Sequence, residues 1–169
     1  MTTFLSKFKG DGVPLPPKPT IKSVALAGAG AVLAIVVVAA LTDLLSTELL
    51  LGSFGASCVL MFGSPDVPFS QPRNVVAGHL TSSLVGLLFL AIFGPHWWAV
   101  ALAVGTSVAL MMVTRTVHPP AGSNPVIVFL TQPEWSFLFF PTLVGSFALV
   151  AVALVYNDVT RKANYPKYW

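Results

Sequence analysis

Ionisable residues are scarce in the apolar stretches of this chain, and two histidines are the main candidates for chemistry there. His79 and His118 lie within or beside apolar runs. An imidazole titrates near neutral pH, so either residue could accept and release a proton. A histidine that only links two helices by hydrogen bonds is the more common case. His, Cys, Asp and Glu residues do not stand at metal-ligand spacing, and there is no nucleotide-binding or nucleophile motif. The sequence therefore predicts no enzyme activity and no cofactor.

Two short segments carry neutral hydrogen-bond donors beside glycine. Residues 49–62 include Gly55-Ala56-Ser57, and residues 119–130 include Gly122-Ser123-Asn124. A helix beginning near either glycine would present free N–H groups and the positive end of its dipole, which together favour an anion. Close helix packing at small residues is the simpler alternative. The predicted substrate-binding residues are Gly55, Ala56, Ser57, Gly122, Ser123 and Asn124.

Two arginines stand at the ends of predicted helices. Arg73 and Arg115 could draw anions toward a vestibule, or could anchor at lipid headgroups through their long side chains. The predicted pathway and gating residues are Arg73, Asn74, His79, Arg115, His118, Pro119 and Pro120.

The composition places these residues in a membrane protein. Of 169 residues, 55% are hydrophobic and 9% charged, and the mean hydropathy is +0.81. Soluble domains are about 25% charged, so the sequence excludes a soluble enzyme, a disordered chain and a nucleic-acid binder. A membrane helix needs roughly 20 apolar residues. Four runs come close to or reach that length: residues 23–42, 75–93, 97–114 and 136–156.

The charges favour six crossings over four crossings with two re-entrant loops. If the four runs and the two short segments all cross, every Lys and Arg falls on the cytoplasmic side, as the positive-inside rule expects. Residues 1–20 are then a cytoplasmic extended arm, residues 21–157 the transmembrane domain, and residues 158–169 a cytoplasmic basic tail. A bundle this small also predicts a homo-oligomer, either a dimer or a trimer.

An internal repeat predicts the arrangement of the helices. Residues 55–62 align with residues 122–129, and Ser70-Gln71-Pro72 aligns with Thr131-Gln132-Pro133. The units, about residues 21–94 and 97–157, each read as helix, broken helix, helix. Three crossings per unit place the second unit upside down, an inverted repeat typical of secondary transporters that bind substrate near the midplane. The predicted fold class is therefore an all-α integral membrane protein with an inverted repeat.

Two stretches resemble the HPP family of integral membrane proteins, which is named for its tripeptide: residues 115–122 (RTVHPPAG) and residues 70–79 (SQPRNVVAGH). The resemblance covers approximately residues 20–157. It implies four membrane helices, nitrite transport as in cyanobacterial and chloroplast members, and a cyanobacterial plasma membrane. The positions that carry over are Arg73, Asn74, Gly78, His79, His118, Pro119, Pro120 and Gly122.

Residues and resemblance together predict a transporter or channel for a small monovalent anion, with nitrite as the expected substrate. Neutral donors at a helix terminus suit a small ion that must also be released. Two alternatives stay open. One is a membrane subunit that binds a partner protein and transports nothing; the other is a quinone-binding or redox membrane protein.

Overall fold

The computed structural model describes residue 8, residues 12–161 and residues 163–169, and within these residues the fold is all helical. This confirms the predicted all-α class. The helices are α1 (Ile21–Leu45), α2 (Gly52–Cys58), α3 (Pro72–Phe93), α4 (Trp97–Val113), α5 (Asn124–Thr131) and α6 (Val144–Thr160). Part of the predicted arm (residues 1–7 and 9–11) and Lys162 of the predicted tail lie outside the described residues.

Within the part of the chain that the structure describes, three helical stretches are long and apolar enough to cross a membrane: Ile21–Leu45, Pro72–Phe93 and Trp135–Thr160. Helix α4 is apolar but has only 17 residues, about 26 Å at 1.5 Å per residue. A bilayer core is about 30 Å thick, so a fourth full span stays a prediction.

The first short segment runs back along α1. The Leu49 N–H donates to the Thr42 hydroxyl near the end of α1 (3.2 Å). Helix α2 continues into a wide π-helical turn, Val59–Gly63. Phe62 packs on Gly30, where an added Cβ would lie 2.5 Å from the Phe62 ring. Residues 49–62 therefore descend from the end of α1 toward its start.

The second short segment runs alongside α3 in the same direction. A tight turn, Pro119–Ser123, leads into α5. The backbone of Pro125 lies so close to Gly86 that a Cβ there would approach the Pro125 Cα to 2.9 Å. Since His118 packs on Gly78 and Pro125 on Gly86, the segment climbs along α3 as its numbering increases.

The last helical stretch is broken near its start. Residues Trp135–Leu138 and Phe139–Leu143 form irregular turns, and Phe140 is extended (φ −125°, ψ 114°). A proline disfavours helical geometry at the preceding residue, so Pro141 accounts for the break at Phe140. Below it, Gly145 lets α6 approach α2, because a Cβ would lie 2.5 Å from the Phe54 ring.

These contacts give a path of six segments that alternate in direction. Arg73 Nη2, at the start of α3, donates to the Thr114 carbonyl at the end of α4 (3.2 Å). Lys22 near the start of α1 and Arg161 at the end of α6 line one cavity, so both helices meet at the same end of the bundle. The path agrees with the predicted order of six segments, although their crossing of a bilayer stays a prediction.

The C-terminal residues fold back onto this end of the bundle. The buried Tyr165 hydroxyl donates to the Ser70 carbonyl (2.8 Å), and the Lys167 N–H donates to Gln71 Oε1 (2.7 Å). Burial raises the pKa of the Tyr165 phenol above its usual value of 10.0. Residues 163–169, here called the docked tail, are thus held against the loop before α3.

Candidate functional site

Two buried histidines and one serine form the centre of the polar interior. His79, His118 and Ser57 are each 0% exposed. The Ser57 hydroxyl lies 3.1 Å from His79 Nε2 and 2.8 Å from His118 Nε2. One hydroxyl therefore bridges two imidazoles whose ring centres are 5.0 Å apart.

Each of the three residues comes from a different part of the fold. Ser57 lies on α2, His79 on α3, and His118 on the loop between α4 and the turn at Pro119. His118 Nδ1 contacts the Phe69 carbonyl at 2.6 Å, which fixes the ring. Glycine at position 78 allows the approach, since a Cβ there would lie 2.8 Å from the His118 Cβ.

Asn124 extends the cluster from the other side of His79. It is the first residue of α5 and is 0% exposed. Its Nδ2 lies 3.1 Å from His79 Nδ1 and 2.8 Å from Ser83 Oγ, and Ser83 Oγ lies 3.0 Å from Thr142 Oγ1. The result is a continuous buried chain of hydrogen bonds from Thr142 to the Phe69 carbonyl.

Two groups of fixed polarity, the Phe69 carbonyl and the Asn124 amide nitrogen, determine the direction of the hydrogen bonds between them. The Phe69 carbonyl can only accept, so His118 Nδ1 donates to it and a neutral His118 leaves Nε2 as an acceptor. Asn124 Nδ2 can only donate, and the His79 carbonyl, 3.4 Å away, is a further acceptor on that side. Neutral His79 then accepts at Nδ1 and donates from Nε2 to Ser57. The single Ser57 hydroxyl proton goes to His118 Nε2 at 2.8 Å in preference to the Ser53 carbonyl at 3.1 Å. Every link is satisfied with both imidazoles neutral.

Three polar atoms beside this chain are buried without a partner among the described residues. They are Asn124 Oδ1, Ser53 Oγ and Ser82 Oγ. An unsatisfied buried polar group costs about 1–3 kcal/mol. Unpartnered groups next to a complete chain leave spare capacity for a ligand, a water molecule or a rearranged proton.

The histidine cluster can become positively charged by protonation, but its polar side chains offer no acidic group that could make it negative. Within the described residues, the buried polar side chains are Ser, Thr, Asn, Gln and His, with no carboxylate among them. Protonation can therefore add charge to the site, but ionisation cannot make it negative.

Four predicted site residues come together here: Ser57, His79, His118 and Asn124. The other predicted substrate-binding residues do not join them. Gly55, Ala56 and Ser123 are exposed and Gly122 is half-buried. The expected helix start near Gly55 is wrong, because α2 begins at Gly52 and Ser57 falls beyond the first four N–H groups that lack helical partners. The second start lies at Asn124 instead of Gly122, with Pro125 in the first turn.

The remaining predicted pathway residues lie around the cluster and not in it. Asn74 Nδ2 donates to the Val117 carbonyl (2.9 Å), which positions the loop that carries His118. Arg73 and Arg115 are exposed, as is Pro119, whereas Pro120 is buried. Their roles in a pathway stay predictions.

The residues that complete the chain of hydrogen bonds, Ser83 and Thr142, were not predicted from the sequence. Ser83 lies four residues after His79 on α3, a spacing that places both on one helix face; this signal was available. Thr142 and the Phe69 carbonyl are brought in from distant segments, and no local pattern marks them.

Comparison with known proteins places this fold in a family. The model of the HPP transmembrane region matches residues 16–166, which is most of the chain. The chain belongs to the HPP transmembrane family. The HPP tripeptide itself is His118-Pro119-Pro120, so the histidine of the family name is the one that contacts Ser57.

Two proteins of Dictyostelium discoideum are similar to this HPP chain, and each is named as a transmembrane protein. One is 39% identical over 130 residues, covering 72% of this chain and 46% of the relative. The other is 39% identical over 131 residues, covering 73% of this chain and 42% of the relative. The chain thus spans less than half the length of these relatives. No solved structure is significantly similar to it.

Proposed function

We propose that this HPP protein carries a small monovalent anion across the membrane together with a proton, and that nitrite is the anion. The observation that carries the proposal is the buried His79–Ser57–His118 bridge in an interior without carboxylates. Ionisable residues inside membrane segments mark ion and proton pathways by default. A site that can only gain positive charge suits an anion.

The hydrogen-bond chain suggests how proton and anion would be linked. A proton added to His79 turns Nδ1 into a donor, which then faces the amide nitrogen of Asn124 across 3.1 Å. Rotation of the Asn124 amide by 180° brings its unpartnered Oδ1 to His79 and turns the NH₂ group away. The freed N–H groups, beside an imidazolium, then offer an anion donors and a charge. Loss of the proton reverses both changes and releases the anion.

The arrangement of the units supports a transporter in which the site opens by movement. The described conformation is closed, since Ser57, His79, His118 and Asn124 are each 0% exposed. Helix α1 and helix α4 start at opposite ends of the bundle, so we propose that the two units form an inverted repeat. Rocking of one unit against the other would expose the site to each side in turn.

Three further features belong to this proposal. Both termini face the cytoplasm of a bacterial cell, the assembled protein is a homo-oligomer, and the chain performs no chemistry on its substrate. The two cations at one end of the bundle, Lys22 and Arg161, accord with that orientation under the positive-inside rule.

Flux through purified protein in proteoliposomes tests the proposal. We expect uptake of nitrite, and little uptake of a cation such as choline, with nitrate and formate measured alongside to define selectivity. Asn124→Leu keeps a similar side-chain size but removes the donors to His79 and Ser83, so uptake should fall at least tenfold, the change expected for about 1.4 kcal/mol.

Ser107→Ala is the matched control for a buried polar residue. The Ser107 hydroxyl donates only within its own helix, to the Ala103 carbonyl (2.8 Å), so this variant should transport normally. Normal transport by Asn124→Leu would contradict the assignment of the site. Folded wild-type protein that moves no anion would contradict the transport proposal and favour a partner-binding membrane subunit.

A further inference from the structure

A second site lies at the end of the bundle where α1 starts and α6 ends. A cavity of about 510 Å³ opens there between the two helices and the loop after Gly63. Its polar lining includes Lys22, Ser23, Asp66, Asn157 and Arg161. It lies apart from the histidine cluster, whose residues do not line it.

The charges of this cavity favour an anionic group. Among the described residues, Asp66 is the one carboxylate in the lining, and it pairs with Arg161 and with Lys167 Nζ (3.2 Å). The hydrogen bond from Arg161 lowers the pKa of Asp66 below its usual 3.8, so the carboxylate stays ionised and occupied. Arg161 Nη1 is nevertheless buried without a partner among the described residues, and Lys22 adds a second positive charge. A phosphate group would satisfy both.

An apolar groove continues from the cavity along the sides of α1 and α6. The groove has about 470 Å³ and is lined by Leu33, Val37, Ala151 and Val155, among others. Tyr156 and Thr160 line both the cavity and the groove, so the two spaces adjoin. Leu33 lies seven residues after Leu26 of the cavity, about 10 Å further along α1. The polar cavity near the helix ends thus leads into an apolar groove that runs along the side of the bundle toward the midpoints of α1 and α6.

We infer that this combined surface binds one anionic phospholipid, with its phosphate at Arg161 and Lys22 and an acyl chain in the groove between α1 and α6. Basic pockets between membrane helices hold lipid headgroups in this way. A free phosphate would leave the groove unused, and a zwitterionic lipid would bring a cationic group to the two cations. The inference does not depend on the anion transport proposed above.

Native mass spectrometry of detergent-purified protein tests it, with phosphatidylglycerol and phosphatidylcholine of identical acyl chains as probes. Wild-type protein should retain phosphatidylglycerol in preference to phosphatidylcholine. Arg161→Gln removes the unpartnered donor and should weaken retention about tenfold, as for the loss of one charge-assisted hydrogen bond. Lys18→Gln removes one positive charge from an exposed residue that does not line the cavity, and this variant should retain the lipid fully.

A second variant separates lipid binding from the stability of the Asp66 pair. Ala151→Trp fills the groove and leaves the headgroup residues unchanged, so it should also reduce retention. Ala101→Trp, on the exposed face of α4, is its control and should have no effect. The inference would be overturned if wild-type protein retained both lipids equally, or if the variants and their controls lost the lipid to the same extent. It would also be overturned if millimolar inorganic phosphate displaced the lipid while Ala151→Trp retained it normally, since the site would then bind phosphate alone.

Discussion

Replacing Ser57 by alanine removes the one hydroxyl that joins the two buried histidines. The structure allows the cost to be worked out. His79 Nε2–H loses its acceptor at 3.1 Å, and His118 Nε2 loses its donor at 2.8 Å. Both rings are fully buried, so water does not replace the lost partner. Each unsatisfied group costs about 1–3 kcal/mol, which predicts a loss of about 2–6 kcal/mol in the free energy of unfolding.

The assay is reversible unfolding in mixed micelles, with Ser107→Ala unfolded in parallel. Both variants remove one buried hydroxyl. Ser107 bonds only the Ala103 carbonyl, which already accepts within α4, so its loss should cost less than about 1 kcal/mol. A Ser57→Ala variant no less stable than Ser107→Ala would refute the bridge. Ser57→Ala should also abolish proton-linked uptake in any vesicles where the protein is folded.

Two other predictions follow from neighbouring contacts. Gly78→Ala should destabilise the protein by about 1–3 kcal/mol through overpacking, because the added Cβ would lie 2.8 Å from His118 Cβ. Its control is Gly105→Ala, where an added Cβ has no neighbour within 4 Å, so that variant should be neutral or slightly stabilising. Chemical denaturation measures both changes in the free energy of unfolding. Asp66→Asn removes the exposed pair with Lys167 but not the buried contact of Tyr165, so it should weaken the docked tail modestly, and hydrogen exchange of the tail amides should become faster. Since the pair with Arg161 lowers the pKa of Asp66 below 3.8, the contribution of the ionised Asp66 is fully present above that pH and is lost as the pH falls through the lowered value. Tail amides that exchange alike in variant and wild type at pH 7 would contradict this.

The fold could be predicted from sequence wherever hydropathy alone decides it. The runs at residues 23–42, 75–93 and 97–114 became α1, α3 and α4 with small changes at their ends. The break before α6 was also predictable, because Pro141 disfavours a helical residue before it.

The start of α2 could not be placed from sequence. Gly52 and Gly55 are both plausible first residues, and the choice depends on contacts with distant segments, such as Phe54 against Gly145. The difference matters for Ser57. A helix starting near Gly55 would place Ser57 where free backbone amides could bind an anion, whereas in the structure Ser57 lies in the second turn of α2 and contributes its hydroxyl to the two histidines.

The sequence predicted four residues of the candidate site, but it did not predict how hydrogen bonds link them. Ser57 and Asn124 were predicted as donors beside helix starts, and His79 and His118 as titratable residues in apolar runs. These four residues do come together. Their linkage in one chain required the approach of four separate segments, which no local pattern encodes. The docked tail was missed for the same reason, since Tyr165 is buried only against a loop far away in sequence.

The most direct test of the account is a simultaneous record of nitrite and internal pH in proteoliposomes, with protein-free vesicles subtracted. If the His79–Ser57–His118 chain carries a proton with each anion, an inward proton gradient should drive nitrite uptake, and the interior should acidify by one proton per nitrite. Because one proton and one nitrite together carry no net charge, the uptake rate should not respond to an imposed membrane potential. Nitrite entry that follows the potential without acidification would show a passive channel and contradict the proposed coupling.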